Sequence, residues 1–237
     1  MFRYGSRGRI CRSWFAVLAC AIAAHTFATG QVHAQEQPQH KSGGNEGKIP
    51  IGWLTRIDGS EDMHGDFKKG DSLSFVQMTP GFHVTTGPNA ILWHPDSSAR
   101  GNFTIESSIF LFPTKGRDRE GYGVFVGGQD LAGAAQRYTY FLLRNDGRFL
   151  VKQRVGNKTV MLKDWTYLTA IKLATAKDAM KNDFRVAVGA QRVTFSVNGT
   201  EAVSLARSQV SPDGVFGLRF AHAVNAHVTN VARRPSP

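Results

Sequence analysis

The chain is nearly without cysteine, and the two it has, Cys11 and Cys20, both fall within the first 34 residues. A chain beginning at Gln35 therefore has no disulfide framework and no thiolate metal site, and its stability must come from its core. Acidic residues are absent from that same opening stretch, which carries Arg3, Arg7, Arg9 and Arg12 followed by an apolar run from Trp14 to Ala24. The run is too short to span a bilayer, so the segment reads as a signal peptide, with Val32-His33-Ala34 as the cleavage site before Gln35. Cys20 at the end of Val17-Leu-Ala-Cys20 offers a rival lipoprotein site. Either reading places the protein in the periplasm or outside the cell. No transmembrane segment is expected in the mature chain, and export without disulfides fits a bacterial envelope.

Also missing are the motifs that announce common chemistries. There is no Gly-x-Ser-x-Gly nucleophile elbow, and Gly127-Gly128 lacks the Gly-Lys-Ser/Thr that completes a phosphate loop. His83, His94, His222 and His227 show no paired metal-ligand spacing. Asp58, Glu61, Asp62, Asp66 and Asp71 crowd around His64 but lack the spacing of a calcium loop, so no metal and no cofactor are expected. Asp118 and Glu120 lie in Lys115-Gly-Arg-Asp-Arg-Glu-Gly121, which reads as a solvated hairpin tip with Arg117 and Arg119 as local partners. The formal charge of +11 falls once the leader is removed: four of the 29 basic residues go with it, leaving 25 against 18 acids, or +7. No nucleic-acid-binding motif accompanies this excess, so nucleic acid is not an expected partner. The charge favours anionic surfaces in general.

What remains is β-strand pattern. Gln35 to Gly47 is polar and flexible, so the chain divides into a leader (1–34), a linker (35–48), a folded domain (49–232) and a disordered tail (233–237). Within the domain, apolar and polar residues alternate in Asp183–Gly189, Arg192–Gly199 and Glu201–Leu205, with Asn198-Gly199 as a hairpin turn. Ser211-Pro-Asp-Gly214 turns into Val215–Phe220, and Ala226–Val231 follows. Earlier strand-like runs cover Ser72–Met78, Phe82–Thr86, Ala90–His94, Phe103–Phe112, Tyr122–Val126, Arg137–Arg144, Arg148–Val155 and Thr159–Leu162. Asp146-Gly147 marks another hairpin. Leu168–Lys181 reads as a long crossing loop or one short helix. About a dozen strands at this spacing make an all-β, two-sheet antiparallel β-sandwich of jelly-roll type.

The run Asn182-Asp-Phe-Arg-Val…Val193-Thr-Phe-Ser-Val-Asn-Gly199…Pro212-Asp-Gly-Val-Phe-Gly-Leu-Arg219 resembles the end of concanavalin A-like lectin/glucanase domains. It is similar to the laminin-G-like and 3-keto-disaccharide hydrolase types within that superfamily. Gly121–Gly127 and Tyr138–Arg144 fit the preceding sheet, and coverage runs from about Trp53 to Val231. The resemblance implies a carbohydrate-facing concave sheet and, in the hydrolase branch, a glycosidic cleft. The Glu-x-Asp-x-Glu strand of many glucanases is absent, since Glu106 is the only acid in Phe103–Phe112. Hydrolysis of a glycoside usually requires two opposed carboxylates, which no single strand supplies.

Sugar recognition calls for aromatic plates and planar hydrogen-bonding side chains. Trp93, Tyr122 and Tyr138 are the candidate plates. His94, Asp96, Gln129, Asp130, Arg137 and Arg144 are the candidate rim. The residues are equally open to structural roles, Trp93 in the core and Tyr138 with Tyr140 as cross-strand pairs. Three functions follow: a lectin-like carbohydrate-binding domain, a glycoside hydrolase, or a non-catalytic envelope component using basic loops. Oligomeric state is not encoded in any readable pattern.

Overall fold

In the computed structural model, residues 49–57 and 73–235 are described. The leader, the linker and the acidic segment around His64 lie outside them. Among the described residues there are fourteen strands and one helical turn. In chain order the strands are β1 (Leu54–Ile57), β2 (Ser74–Gln77), β3 (Phe82–Thr85), β4 (Ala90–Ala99), β5 (Phe103–Leu111), β6 (Tyr122–Gln129) and β7 (Arg137–Leu143). They continue as β8 (Arg148–Val155), β9 (Lys158–Tyr167), β10 (Met180–Val188), β11 (Arg192–Val197) and β12 (Thr200–Ala206). The helical turn α1 (Arg207–Val210), β13 (Gly214–Phe220) and β14 (Asn225–Pro235) close the series. No helix among the described residues is long and apolar enough to cross a membrane.

All pairings are antiparallel and build two seven-stranded sheets. Sheet A runs β1-β4-β13-β6-β7-β8-β9 and sheet B runs β12-β11-β10-β5-β14-β3-β2. Between them Leu92, Val124, Phe141, Phe149 and Leu218 from sheet A meet Phe103, Ile105, Phe184, Val186 and Phe195 from sheet B in one continuous apolar layer. Phe141 is its centre, with ring centroids 6.0 Å from Phe149, 5.8 Å from Phe184 and 5.3 Å from Phe195. Period-two alternation in β10 and β11 places one face of each strand on this layer. Asn198 and Gly199 both take positive φ, 50° and 82°, as the tight β11–β12 hairpin requires.

Leu168–Ala179 crosses from β9 to sheet B without forming a helix. Two asparagines clasp its backbone. Asn145 accepts from the Ala174 amide (2.7 Å) and donates to the Ala174 carbonyl (3.1 Å). Asn182 accepts from the Lys172 amide (2.9 Å) and donates to the Lys172 carbonyl (2.8 Å). Buried Ile171 and Ala174 anchor the same loop in the core. Several boundaries differ from the sequence reading, among them the ends of β4 and β6, which run on to Ala99 and Gln129. β1 is new, β9 continues past Leu162 to Tyr167, and β14 carries Arg233 and Arg234 as paired residues beyond the expected domain end at 232.

Candidate functional site

The face of sheet A turned away from sheet B is unusual because it is also apolar. Ile91, Trp93, Phe125, Leu131, Tyr138, Tyr140, Leu142 and Leu150 form a second buried cluster there, with Trp165 and Val215 packed against it. The strands place them by alternation: in β7, Thr139, Phe141 and Leu143 point toward sheet B, so Tyr138, Tyr140 and Leu142 point outward. Register then sets neighbours across the sheet. Arg56 lies opposite Ile91, Arg219 opposite Ile91 and Gly123, Phe125 opposite Tyr140, and Tyr140 opposite Lys152.

Arg219 holds the middle of this face. It is buried, donates from Nη1 to the Tyr138 hydroxyl (2.8 Å), and its guanidinium carbon stands 4.6 Å from the Tyr140 ring centroid. Ring faces carry negative quadrupole density, so the two tyrosines offset part of the desolvation of the cation. Arg56 donates to the Leu131 carbonyl (3.1 Å) and to the Gly133 carbonyl, tying the Gly127–Gln136 turn to β1. Toward the β9 edge, Arg144 stacks at 4.4 Å over Trp165 and pairs with Asp146 at 3.1 Å. Beyond it Tyr167 is 64% exposed, the most accessible large ring of the sheet.

The sequence candidates divide among several places. Trp93, Tyr138 and Arg144 belong to this outer face. Trp93 is 6% exposed and Tyr138 fully buried, so both are floor rather than open plate. Tyr122 is corrected: it lies between the sheets, with its hydroxyl accepting from Asn182 Nδ2 (2.9 Å), and burial raises its phenol pKa. A plate for a ligand cannot sit there. His94 turns toward Gly52 and Trp53 and lies 3.7 Å from the carboxylate of exposed Asp96 in the β4 bulge. Asp130 closes its own turn, accepting from the Ala135 amide at 2.9 Å. Gln129 and Arg137 are exposed and opposite one another in register. Gln129 also lines a polar pocket of about 580 Å³ with Gln191, Arg207, Ser211 and Asp213.

The loop before β6 is a second correction. Glu120 is half-buried rather than at a solvated tip, and it meets His222 Nε2 at 2.9 Å by extending the β6–β13 ladder beyond Tyr122 and Phe220. Burial raises its carboxyl pKa, while His222, then Arg117 and Arg144, pull the other way. Asp118 instead accepts from Asn145 (2.8 Å) and Thr114 (2.5 Å), which lowers its pKa. Among the described residues no group of three or more His, Cys, Asp or Glu side chains is placed to hold a metal ion.

Sequence reasoning missed Trp165, Tyr167 and Arg219, and gave Tyr140 only a packing role with Tyr138. Arg219 had a signal, a lone cation inside the apolar strand Val215–Phe220. Trp165 and Tyr167 had one too, the alternation of Asp164-Trp-Thr-Tyr167.

No family model matches the chain, and no curated protein matches it. Solved structures do. The carbohydrate-binding module of family 66 from Bacillus subtilis superposes with a TM-score of 0.54 at 13% identity, covering 78% of this chain and 96% of that one. A family 16 glycoside hydrolase from the mixed-linkage glucan locus of Bacteroides ovatus, in complex with a product, gives 0.54 at 9% identity, over 79% and 97%. A Bacillus subtilis protein of unknown function with a galectin-like fold gives 0.52 at 10%, over 77% and 89%. At these identities the likeness is one of fold: the chain shares with these proteins an antiparallel, two-sheet jelly-roll β-sandwich.

Proposed function

We propose that this chain is an exported lectin-like domain that binds carbohydrate on the outer face of sheet A. One observation carries the reading: a face that would ordinarily be polar is tiled with aromatic rings and guanidinium groups, and at its β9 edge the rings of Trp165 and Tyr167 reach solvent. Such rings match the apolar faces of pyranose rings, and the fixed cations beside them donate to hydroxyls. The fold is shared with a carbohydrate-binding module and a glucanase, which supports the same class of ligand.

Hydrolysis is the second reading, and Glu120 beside His222 is the observation in its favour, since a half-buried acid of raised pKa suits proton donation. Against it, at the regularly paired outward positions of sheet A among the described residues there is no carboxylate, so the opposed pair that glycoside cleavage calls for is not found on the face itself. An array of immobilised glycans, scored for retention and for released reducing sugar, separates the two. Retention that is lost in Trp165→Ala without any release supports binding. Release that is abolished by Glu120→Gln assigns an enzyme, and neither signal across diverse glycans rejects both.

A further inference from the structure

The outward positions of sheet A are sorted by charge as well as by shape. β8 presents Arg148, Lys152 and Arg154, which lie opposite Tyr167, Met161 and Thr159 of β9, and Lys152 and Arg154 lie opposite Tyr140 and Tyr138 of β7. Arg56 and Arg219 add cations on the other half, and Arg144 follows directly after β7. Two acids near this edge among the described residues are engaged locally. Asp146 in the β7–β8 turn pairs with Arg144, and Asp164 in the β9 bulge accepts from the Trp165 amide at 2.7 Å. Arg154 is buried, with Nε donating to the Gly156 carbonyl at 2.7 Å. That leaves exposed Arg148 and half-buried Lys152, to which no ion pair reaches among the described residues.

These two cations share a strip with the accessible rings. Tyr167 is directly opposite Arg148, and its ring lies against Gly147, where a Cβ would come within 2.8 Å of Cε2. The hairpin thus backs the ring and holds it as a plate. Trp165 is held likewise by Arg144. A strip of held rings flanked by cations, with no competing carboxylate at a paired position among the described residues, fits a sugar that carries its own negative charge, because a neutral sugar would leave those cations without a charge partner.

We propose that the β8–β9 edge of sheet A, with Trp165 and Tyr167 as plates and Arg148 and Lys152 as anion partners, selects acidic polysaccharides, whose uronate carboxylates or sulfates pair with those cations. The inference rests on the carbohydrate-binding reading above and narrows its ligand class. The test uses the full chain in affinity electrophoresis against polygalacturonate and against the same polymer fully methyl-esterified, which keeps the backbone and removes the charge. Dextran sulfate against dextran repeats the comparison for sulfate. The acidic form is expected to retard the protein at about tenfold lower polymer concentration. The double variant R148Q/K152Q is expected to abolish that difference, and Tyr167→Ala to weaken retention by either polymer.

Equal retardation by the charged and uncharged forms overturns the inference while leaving the carbohydrate-binding reading intact. Retardation by no glycan overturns both. A preference for the acidic polymer that is untouched by Tyr167→Ala and matched by anionic phospholipid vesicles assigns the strip to non-specific electrostatics and also overturns it. Circular dichroism and urea unfolding of each variant identify any loss due to misfolding, and Tyr167→Phe, which keeps the ring, is expected to restore retention.

Discussion

Replacing Asn182 by alanine tests how the two sheets and the crossing loop are joined. Asn182 is completely buried. Its amide nitrogen donates to the Tyr122 hydroxyl at 2.9 Å and the Lys172 carbonyl at 2.8 Å, and its oxygen accepts from Lys172 N at 2.9 Å and Asn198 Nδ2 at 2.8 Å. All four of its hydrogen-bonding sites are thereby used, linking sheet A, the loop and the β11–β12 hairpin. At about 1 kcal/mol net for each bond, and with partners left buried, Asn182→Ala should cost about 4 kcal/mol. For a domain of this size that is a fall of roughly 8–16 °C in Tm. Urea unfolding followed by tryptophan fluorescence measures it, with the slope unchanged if only the native contacts are lost. Tyr122→Phe removes one of the four bonds and should cost about 1 kcal/mol in the native background. In the Asn182→Ala background the same change should cost almost nothing, because the hydroxyl has already lost its partner. A cost below about 1 kcal/mol for Asn182→Ala would refute the argument, as would a Tyr122→Phe cost identical in both backgrounds. Tyr122→Phe should also leave glycan retention unchanged, in keeping with its place between the sheets.

Gly147 has φ of +79°, and an added Cβ would press on Tyr167 at 2.8 Å, so Gly147→Ala should cost about 1–2 kcal/mol and weaken glycan retention together. Stability loss with undiminished retention would show that Tyr167 is not a plate. His227 faces His83 across β14 and β3, with ring centroids 6.4 Å apart, and Phe110 at 6.0 Å. Burial first, and the charge of His83 second, lower its pKa below 6.5, while a hydrogen bond with the Pro80 backbone opposes them. The neutral ring is therefore the form that folding favours, and its contribution is present above the ordinary histidine range and lost as pH falls through the lowered value. An NMR titration should place His227 below 6.5, and His83→Gln should move it only part of the way back, since burial remains. An unchanged value in that variant would remove the electrostatic part of the account.

Strands that have one polar face were legible from sequence, and strands without one were legible only as strands. β10 and β11 alternate, so both their existence and their inward residues follow from the pattern. β6 and β7 are buried on both faces almost throughout. Nothing in Tyr122–Val126 or Tyr138–Leu143 marks which parity faces sheet B, which is why Tyr122 and Tyr138 looked equivalent and lie on opposite sides of the sheet. β9 failed for the opposite reason. It is an edge strand with bulges and no buried residue, and its irregular register breaks the period before Trp165 and Tyr167 are reached. Glu120 and His222 meet only because β6 and β13 are neighbours, a pairing of strands distant in sequence that no local pattern encodes.

The position of β14 sets an order for folding. Every strand of sheet A has been made once Phe220 is synthesised, but sheet B at that moment is two separate pieces, β12-β11-β10-β5 and β3-β2, because β14 is the strand that joins β5 to β3. A nascent chain ending before Asn225 therefore presents two further open edges, on β5 and β3, which β14 covers in the finished protein, and those edges are templates for pairing with other chains. Synthesis of β14 therefore precedes closure of sheet B, and a chaperone that covers the β5 and β3 edges until then would protect the part of the domain that is last to be paired.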